Sequence, residues 1–457
     1  MLIDTHAHLD MNQFKDDLKD VLSRAKSSRV SHIVTIGADP ASSQAAALLA
    51  ADHQEVYFAP GFHPHDVKSV TEKDYDSLRA LLKDKKAVAV GEIGLDYHYD
   101  LSPRDVQREH FIRQLGLAAE AGKPVIIHSR EAEKDTMDII ESVGLPARGG
   151  TMHCFSGSYE TARKALDIGM HISVGGTLTF NNSGPLREII RKVPIERLLL
   201  ETDAPYLAPK PMRGKRNEPA YVRYVAETLA DIMGLSVEDV ERITTLNALA
   251  LFGIDSLPDE GAIAYPIRSS LYLNITNRCT NACIFCVRNK TDFVKGHNLR
   301  LRQEPSIDEI LRAMEGFERY DEVVFCGYGE PFLRLDVIKE VAMRVKEKGV
   351  KVRVNTNGHA LLIHGPGVIS EVKGLVDSLS VSLNSPSEEQ YNDLCRPLIK
   401  GGAYAGMKDF VIRAKKEIPE VTVTVLAMPG VDVAACRKVA EEELGVPLRV
   451  REYDEVG

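Results

Sequence analysis

His6 and His8 close a short apolar run with one residue between them, and the two-residue period of a strand puts both imidazoles on one face. Paired imidazoles of this kind are a metal-ligand geometry. Four further candidates stand in the same relation to apolar runs. Glu92 follows Val88-Ala89-Val90, His128 follows Val125-Ile126-Ile127, His153 follows Thr151-Met152, and Asp203 follows Leu198-Leu199-Leu200. Closure of the strands into a barrel would bring these residues to one mouth. Imidazoles with carboxylates suit Zn²⁺, Mn²⁺ or Mg²⁺, and a shared carboxylate can hold two ions close enough to act on one phosphoester. Each residue alone reads better as a satisfied interior or surface group; the shared position relative to strands is what argues for a set.

Supporting groups surround that set. Glu201, two residues before Asp203 on the same strand face, suits a role behind the ligands or in acid–base work. Arg213, Lys215 and Arg216 make a cationic loop that reads as a phosphate clamp or as a solvated charge run. His63 and His65 could touch a phosphate, His63 being the stronger candidate.

A second constellation is Cys279, Cys283 and Cys286, spaced Cys-x3-Cys-x2-Cys. Three thiolates are one short of a closed sulfur-only zinc site and suit an iron–sulfur cubane with one iron left open. A structural zinc completed by a distant His or Cys is the plainer alternative. Seven cysteines is an odd number, and a triplet in one loop does not suit a disulfide framework in a reducing compartment. Cys326, Cys395 and Cys436 are scattered, which predicts no second cluster.

The elements that must position these groups follow from periodicity. Apolar runs over 2–6, 32–36, 56–59, 87–90, 124–128, 151–154, 172–175 and 197–202 alternate with helical segments such as 107–121 and 220–233. Eight such units in about 250 residues have the size of one TIM barrel, whose chemistry sits at the C-terminal ends of its strands. A turn-rich stretch after Phe252 suits a junction. Strands then recur near 271–275, 322–325, 351–355, 378–383 and 421–427, too few for a full barrel.

The chain has 457 residues and a formal charge of −9, so any nucleic-acid contact must be a local patch. With 44% hydrophobic and 27% charged residues it reads as globular, neither fibrous nor disordered. No basic stretch followed by a long apolar run stands near Met1, which predicts no secretory signal, no membrane partner and a cytoplasmic location.

The motifs carry a family resemblance. Asp4-Thr5-His6-Ala7-His8-Leu9-Asp10, Gly61-Phe62-His63-Pro64-His65, Gly91-Glu92-Ile93-Gly94-Leu95-Asp96-Tyr97, His128-Ser129-Arg130, His153-Cys154-Phe155-Ser156-Gly157, Glu201-Thr202-Asp203-Ala204-Pro205 and the words around Arg213 to Pro219 resemble the TatD family of metal-dependent deoxyribonucleases. The resemblance spans about residues 1 to 253, in the family's order. It implies one ion on His6, His8, Glu92 and Asp203, a second on Glu92, His128 and His153, and DNA or another nucleic acid as substrate.

Thr276-Asn277-Arg278-Cys279-Thr280-Asn281-Ala282-Cys283-Ile284-Phe285-Cys286 resembles the cluster loop of the radical SAM superfamily. That resemblance implies a 4Fe-4S cluster, S-adenosylmethionine and an electron donor such as flavodoxin or ferredoxin. Gly327-Tyr328-Gly329-Glu330-Pro331 is similar to the superfamily's glycine-rich glutamate motif, which implies that Glu330 and the backbone at Gly327 and Gly329 hold the methionine amine. Asn355, Ser380 and Ser382 are candidate ribose and carboxylate contacts. Together the resemblances imply an α/β chain: a (β/α)8 TIM barrel of metallo-hydrolase type over 1–255, a linker over 256–266, and a partial (β/α)6-like radical SAM barrel over 267–457.

The expected activity is a two-metal deoxyribonuclease joined to an enzyme that reductively cleaves S-adenosylmethionine, with Glu92, Asp203 and Glu201 as catalytic groups. The alternative is an amidohydrolase-type ester or amide hydrolase, such as an aminoacyl-nucleotide deacylase, beside a non-catalytic iron–sulfur sensor.

Overall fold

Apolar runs alternate with helices through the first half of the chain to give β1 (Leu2–Ala7), β2 (Val30–Ile36), β3 (Val56–Ala59), β4 (Val90–Asp96), β5 (Val125–Arg130), β6 (Gly150–Met152), β7 (His171–Val174) and β8 (Leu198–Leu200). The computed structural model describes residues 1–453 in two units, Met1–Leu257 and a second that begins at Pro258. Residues 454–457, the end of the expected second domain, lie outside the described residues.

All neighbouring strands of the first unit pair in parallel, in ladders β1-β2-β3 and β4 to β8. Two bridges join the ladders: Phe58 with Ala87, and Ala7 with Ala204. At the second seam the His8 N–H donates to Ala204 O at 2.7 Å and the Asp203 N–H to His6 O at 2.8 Å. Asp4 braces the same seam, accepting from the Thr202 hydroxyl at 2.6 Å and the Thr202 N–H at 2.9 Å.

Covering helices start and stop on local signals. Ser158 and Ser236 accept from the amides of Thr161 and Asp239 to cap Tyr159–Asp167 and Val237–Phe252. Gly122 and Gly253 end Arg104–Ala121 and Val237–Phe252 in left-handed backbone. Inside the barrel, Ile3, Val34, Ile36, Ala59, Val88, Ile126 and Leu199 form an apolar cluster with Leu251, Phe252 and Ile254. The end of the last helix thus plugs the strand interior.

Two strand expectations need correction. The run 87–90 was expected as the fourth strand with Glu92 beyond it; the strand is Val90–Asp96, and Glu92 lies within it. Of the earlier run, Ala87 bridges Phe58 and Val90 opens the strand opposite Val125. His128, expected to close its strand, lies inside β5. The reason is Gly94, whose φ of +140° and absent side chain let β4 run on against β5; a Cβ there would fall 2.0 Å from His128 O.

In the second unit, β9 (Ala264–Ile267) and β10 (Ser270–Leu273) precede a hairpin, β11 (Phe293–Val294) and β12 (His297–Asn298). They are followed by β13 (Glu322–Phe325), β14 (Lys351–Thr356), β15 (Ser378–Ser382), β16 (Glu420–Ala427) and β17 (Leu448–Glu452). The sheet order is β17-β16-β15-β14-β13-β10-β9, parallel except for the antiparallel edge strand β9, which takes up part of the expected linker. Alternation decides the two faces. Leu271, Leu273, Val323, Phe325, Val352, Val354, Leu379 and Val381 pack into the helix-covered core. Tyr272, Arg353, Asn355, Ser380 and Ser382 lie on the other, half-buried face. Among the described residues no helix is long and apolar enough to cross a membrane.

Gly94→Ala is expected to destabilise the first unit by more than about 2 kcal/mol, because the added methyl forces β4 away from β5. Urea unfolding checks this; an unchanged midpoint would show that the strands part without cost.

Candidate metal centre and cluster loop

Glu92 is the point on which the first site converges. Its side chain is 4% exposed, and five imidazoles border it. His6 Nε2 lies 3.3 Å and His8 Nε2 4.0 Å from Oε2. His128 Nδ1 at 2.6 Å, His153 Nε2 at 3.5 Å and His63 Nε2 at 3.6 Å face Oε1. Burial alone would raise the Glu92 carboxyl, but the imidazoles around it, His153 foremost, with a hydrogen bond from His128, hold it well below the usual carboxylate range. Asp203, in left-handed backbone at φ 58°, puts Oδ1 3.5 Å from His8 Nε2 and 3.8 Å from His6 Nε2.

The donor set fits divalent ions. His6 is wholly buried, and neither ring nitrogen has a hydrogen-bond partner. Such orphaned atoms cost about 1–3 kcal/mol each unless something coordinates them. Burial lowers the His6 pKa and so favours the neutral ring that binds metal. Four groups have all their ligand atoms within 4.8 Å of one another: His6, His8 and Asp203; His63, Glu92 and His128; His6, His153 and Glu201; and His153, Cys154 and Asp203. The second differs from the set the resemblance implied, with His63 where His153 was expected.

His153 leans the other way. Its Nδ1 is 2.9 Å from Glu201 Oε1, off the line of a hydrogen bond. Burial disfavours charge on this ring, but Glu201 and Glu92 outweigh it and push the pKa up to about 10. Glu201 is itself fixed by the Cys154 N–H at 2.7 Å and the Ser173 hydroxyl at 2.5 Å. Buried Asp4 is pushed up to about 8 by desolvation, against the hydrogen bonds from Thr202.

Asp96, which ends β4, also reaches the site. Its Oδ2 lies 3.1 Å from His128 Nε2 and 2.8 Å from His65 Nε2. The signal was present, since Asp96 is four residues after Glu92 and so on the same face of β4. The cationic loop divides in use. Arg216 pairs with Asp17 at 2.7 Å and lies over the Phe14 ring, a structural commitment. Arg213 lies over Phe180, 4.1 Å from its ring centre, and Lys215 is exposed. Exposed Tyr206 stands edge-on to His8 at 6.2 Å.

In the second unit Cys279, Cys283 and Cys286 lie on the loop after β10, all half-buried. Cys279 Sγ accepts from the Asn281 N–H at 3.4 Å and from Asn357 Nδ2 at 3.7 Å, donors that suit a ligand thiolate. Cys395 belongs to this neighbourhood although sequence spacing set it apart: it is buried, and its main-chain oxygen accepts from the Ala282 N–H at 3.0 Å. The Gly327 to Pro331 turn follows β13, and a Cβ at Gly329 would fall 2.3 Å from Arg278 O. Buried Glu330 accepts from the Thr356 hydroxyl at 2.8 Å, the Asn357 N–H at 2.7 Å and the Phe332 N–H at 3.0 Å. Its carboxylate therefore ties this turn to the end of β14. Asn355, Ser380 and Ser382 share the half-buried face, where Arg353 is paired with Glu322 at 2.7 Å.

A parallel TIM barrel with histidines and carboxylates gathered at its mouth defines a metal-dependent hydrolase. The family model described as TatD related DNase matches residues 3–253, and the chain belongs to that family. The Radical SAM superfamily model matches residues 273–442, so both resemblances read from the motifs are borne out. The chain is 45% identical over 255 residues to the uncharacterized metal-dependent hydrolase YabD of Bacillus subtilis, covering 56% of this chain and 100% of that protein. It is 36% identical over 259 residues to the 3'-5' ssDNA/RNA exonuclease TatD of Pantoea ananatis, covering 55% and 100%. The crystal structure of YJJV, a TatD homologue from Escherichia coli, is similar at 32% identity and a TM-score of 0.54, covering 56% of this chain and 98% of that one.

Desolvation raises the Glu330 pKa from the ordinary 4.5 to about 7, against hydrogen bonds from Asn357, Thr356 and Phe332. The folded state then holds this proton more tightly than the unfolded chain does. Stability from this group is full below about pH 4.5 and falls as pH rises to about 7. Glu330→Gln is expected to flatten that pH dependence of the second unit's melting temperature in protein without S-adenosylmethionine; an unaltered profile would place the titration elsewhere.

Proposed function

We propose that the first unit hydrolyses phosphodiester bonds of single-stranded nucleic acid with two divalent ions, and that the second reductively cleaves S-adenosylmethionine. The observation that carries the first part is the buried Glu92 carboxylate bordered by five imidazoles. One ion would rest on His6, His8, Glu92 and Asp203, the other on Glu92, His128 and His153, with Glu92 shared. Divalent cations there supply Lewis acidity toward a phosphoryl oxygen and make water more acidic.

The chain's own groups do the rest. Asp203 orients the attacking water and takes its proton, water adds to phosphorus, and the 3′ oxygen leaves. Glu201 holds the His153 ring in place. His63 and the exposed cations Arg213 and Lys215 meet the phosphate charge, while Arg216 supports the loop through Asp17. The named single-strand exonuclease relative favours DNA or RNA over other esters.

In the second unit Cys279, Cys283 and Cys286 would hold a 4Fe-4S cluster. Reduced by a flavodoxin- or ferredoxin-type donor, such a cluster would supply one electron for reductive cleavage of S-adenosylmethionine. Gly327, Gly329 and the Glu330-braced turn would receive the methionine end, and Asn355, Ser380 and Ser382 the ribose and carboxylate.

Chelation is expected to stop hydrolysis of labelled single-stranded DNA, with recovery on adding Mn²⁺ or Mg²⁺, and Glu92→Ala to lose about 100-fold or more in rate. Undiminished cleavage by Glu92→Ala would overturn this reading, and cleavage of an aminoacyl ester with DNA left intact would favour the amidohydrolase alternative. For the second unit, anaerobic reconstitution with dithionite and S-adenosylmethionine should give 5′-deoxyadenosine from wild type and none from Cys283→Ala. Its absence from wild type under several reductants would sink the radical reading.

A further inference from the structure

We infer that Asn357 is a positioning residue for the cluster: its side-chain amide donates an N–H to the Cys279 sulfur and raises the cluster's reduction potential. This rests on the reading that Cys279, Cys283 and Cys286 hold the cluster.

Asn357 stands just past β14, in the word Asn355-Thr356-Asn357-Gly358. Its main chain is tied to the glycine-rich turn, since its N–H donates to Glu330 Oε2 at 2.7 Å. Its side chain is oriented by the His359 N–H, which donates to Asn357 Oδ1 at 3.1 Å. A main-chain N–H can only donate, so the atom it meets is the amide oxygen and the NH2 points the other way. There Nδ2 donates to Thr280 Oγ1 at 2.7 Å and to Cys279 Sγ at 3.7 Å, one hydrogen for each.

The loop side of the contact is held as firmly. The Thr280 hydroxyl lies 3.0 Å from His359 Nδ1, and His359 Nε2 lies 3.1 Å from the Tyr391 hydroxyl, to which Asn281 Nδ2 donates at 3.4 Å. This chain of contacts begins and ends on Thr280 and Asn281, the two residues after Cys279, so the loop cannot shift off the amide without breaking it. His359 and Tyr391 are wholly buried and Asn357 is 8% exposed, which leaves water little room to take the amide's place. Cys279 Sγ also accepts from the Asn281 N–H at 3.4 Å, a donor that belongs to the loop itself. The Asn357 donor comes from a distant strand and can be removed by substitution.

A thiolate on iron has no proton and can only accept. A donor to it draws charge off the sulfur and favours the reduced cluster, which carries one more electron. Asn357 would thus let the cluster accept its electron from a less strongly reducing donor.

Reconstituted full-length protein without S-adenosylmethionine tests this, after iron and sulfide are measured. Wild type grown on asparagine that carries a heavy nitrogen isotope in its side-chain amide should show a nitrogen coupling to the reduced cluster in pulsed electron paramagnetic resonance. Asn357→Leu, similar in size but with no side-chain N–H, should lose that coupling. In redox titration Asn357→Leu and Asn357→Ala should keep four irons and shift the midpoint negative, with the reduced-to-oxidised ratio at fixed potential about tenfold lower, about 59 mV for one electron. No coupling in wild type would overturn the hydrogen bond whether or not a variant folds. A midpoint equal to wild type in a variant that keeps its iron would overturn the effect on potential. Loss of iron from both variants with the fold intact would make Asn357 a residue that retains the cluster and overturn the inference too. A wild type that binds no iron would overturn the cluster reading itself, a result distinct from these.

Discussion

The first site depends on one seam of main-chain hydrogen bonds. His6 and His8 come from the first strand and Asp203 from just past the last, and the bonds His8 N–H to Ala204 O and Asp203 N–H to His6 O hold them side by side. Asp4 reinforces the seam with a buried carboxylate that Thr202 serves twice. Glu92 and the remaining histidines are then carried in on successive strands. Without closure, three of the proposed ligands to the first ion would belong to opposite ends of a sheet.

The second unit solves its placement problem differently. Its sheet is open, with one face buried under helices and the other left half-buried and polar. A group that must face a cofactor needs only the correct parity along its strand, as Asn355, Ser380 and Ser382 have. Glu330 then ties the glycine-rich turn to the end of β14 from within the structure.

Much of this was legible in the sequence. Repeated apolar runs mark the strands, and the six ligand candidates could be named because each stands at the end of, or just after, an apolar run. What was hidden has physical reasons. The strand β4 starts later than the apolar run because Val88 and Ala89 are apolar for the barrel interior, while the strand itself begins at Val90 and runs through two glycines. Arg216 reads as a free cation until the fold brings Asp17 to it. Cys395 has no spacing relation to the triplet, since its approach to Cys283 is made by pairing between a loop and a helix end far apart in the chain.

The pairing of β1 with the segment after β8 also sets an order in time. Strand β1 is made before the other strands of its unit, yet its partner comes only after seven further strands, and the plug of Leu251, Phe252 and Ile254 later still. Contacts of such long sequence separation form slowly, because loop-closure entropy is lost before they give anything back. During synthesis the nascent chain therefore holds an exposed edge on β1 until about 200 residues have followed it, and its first metal ligands meet their partners only near the end of the domain.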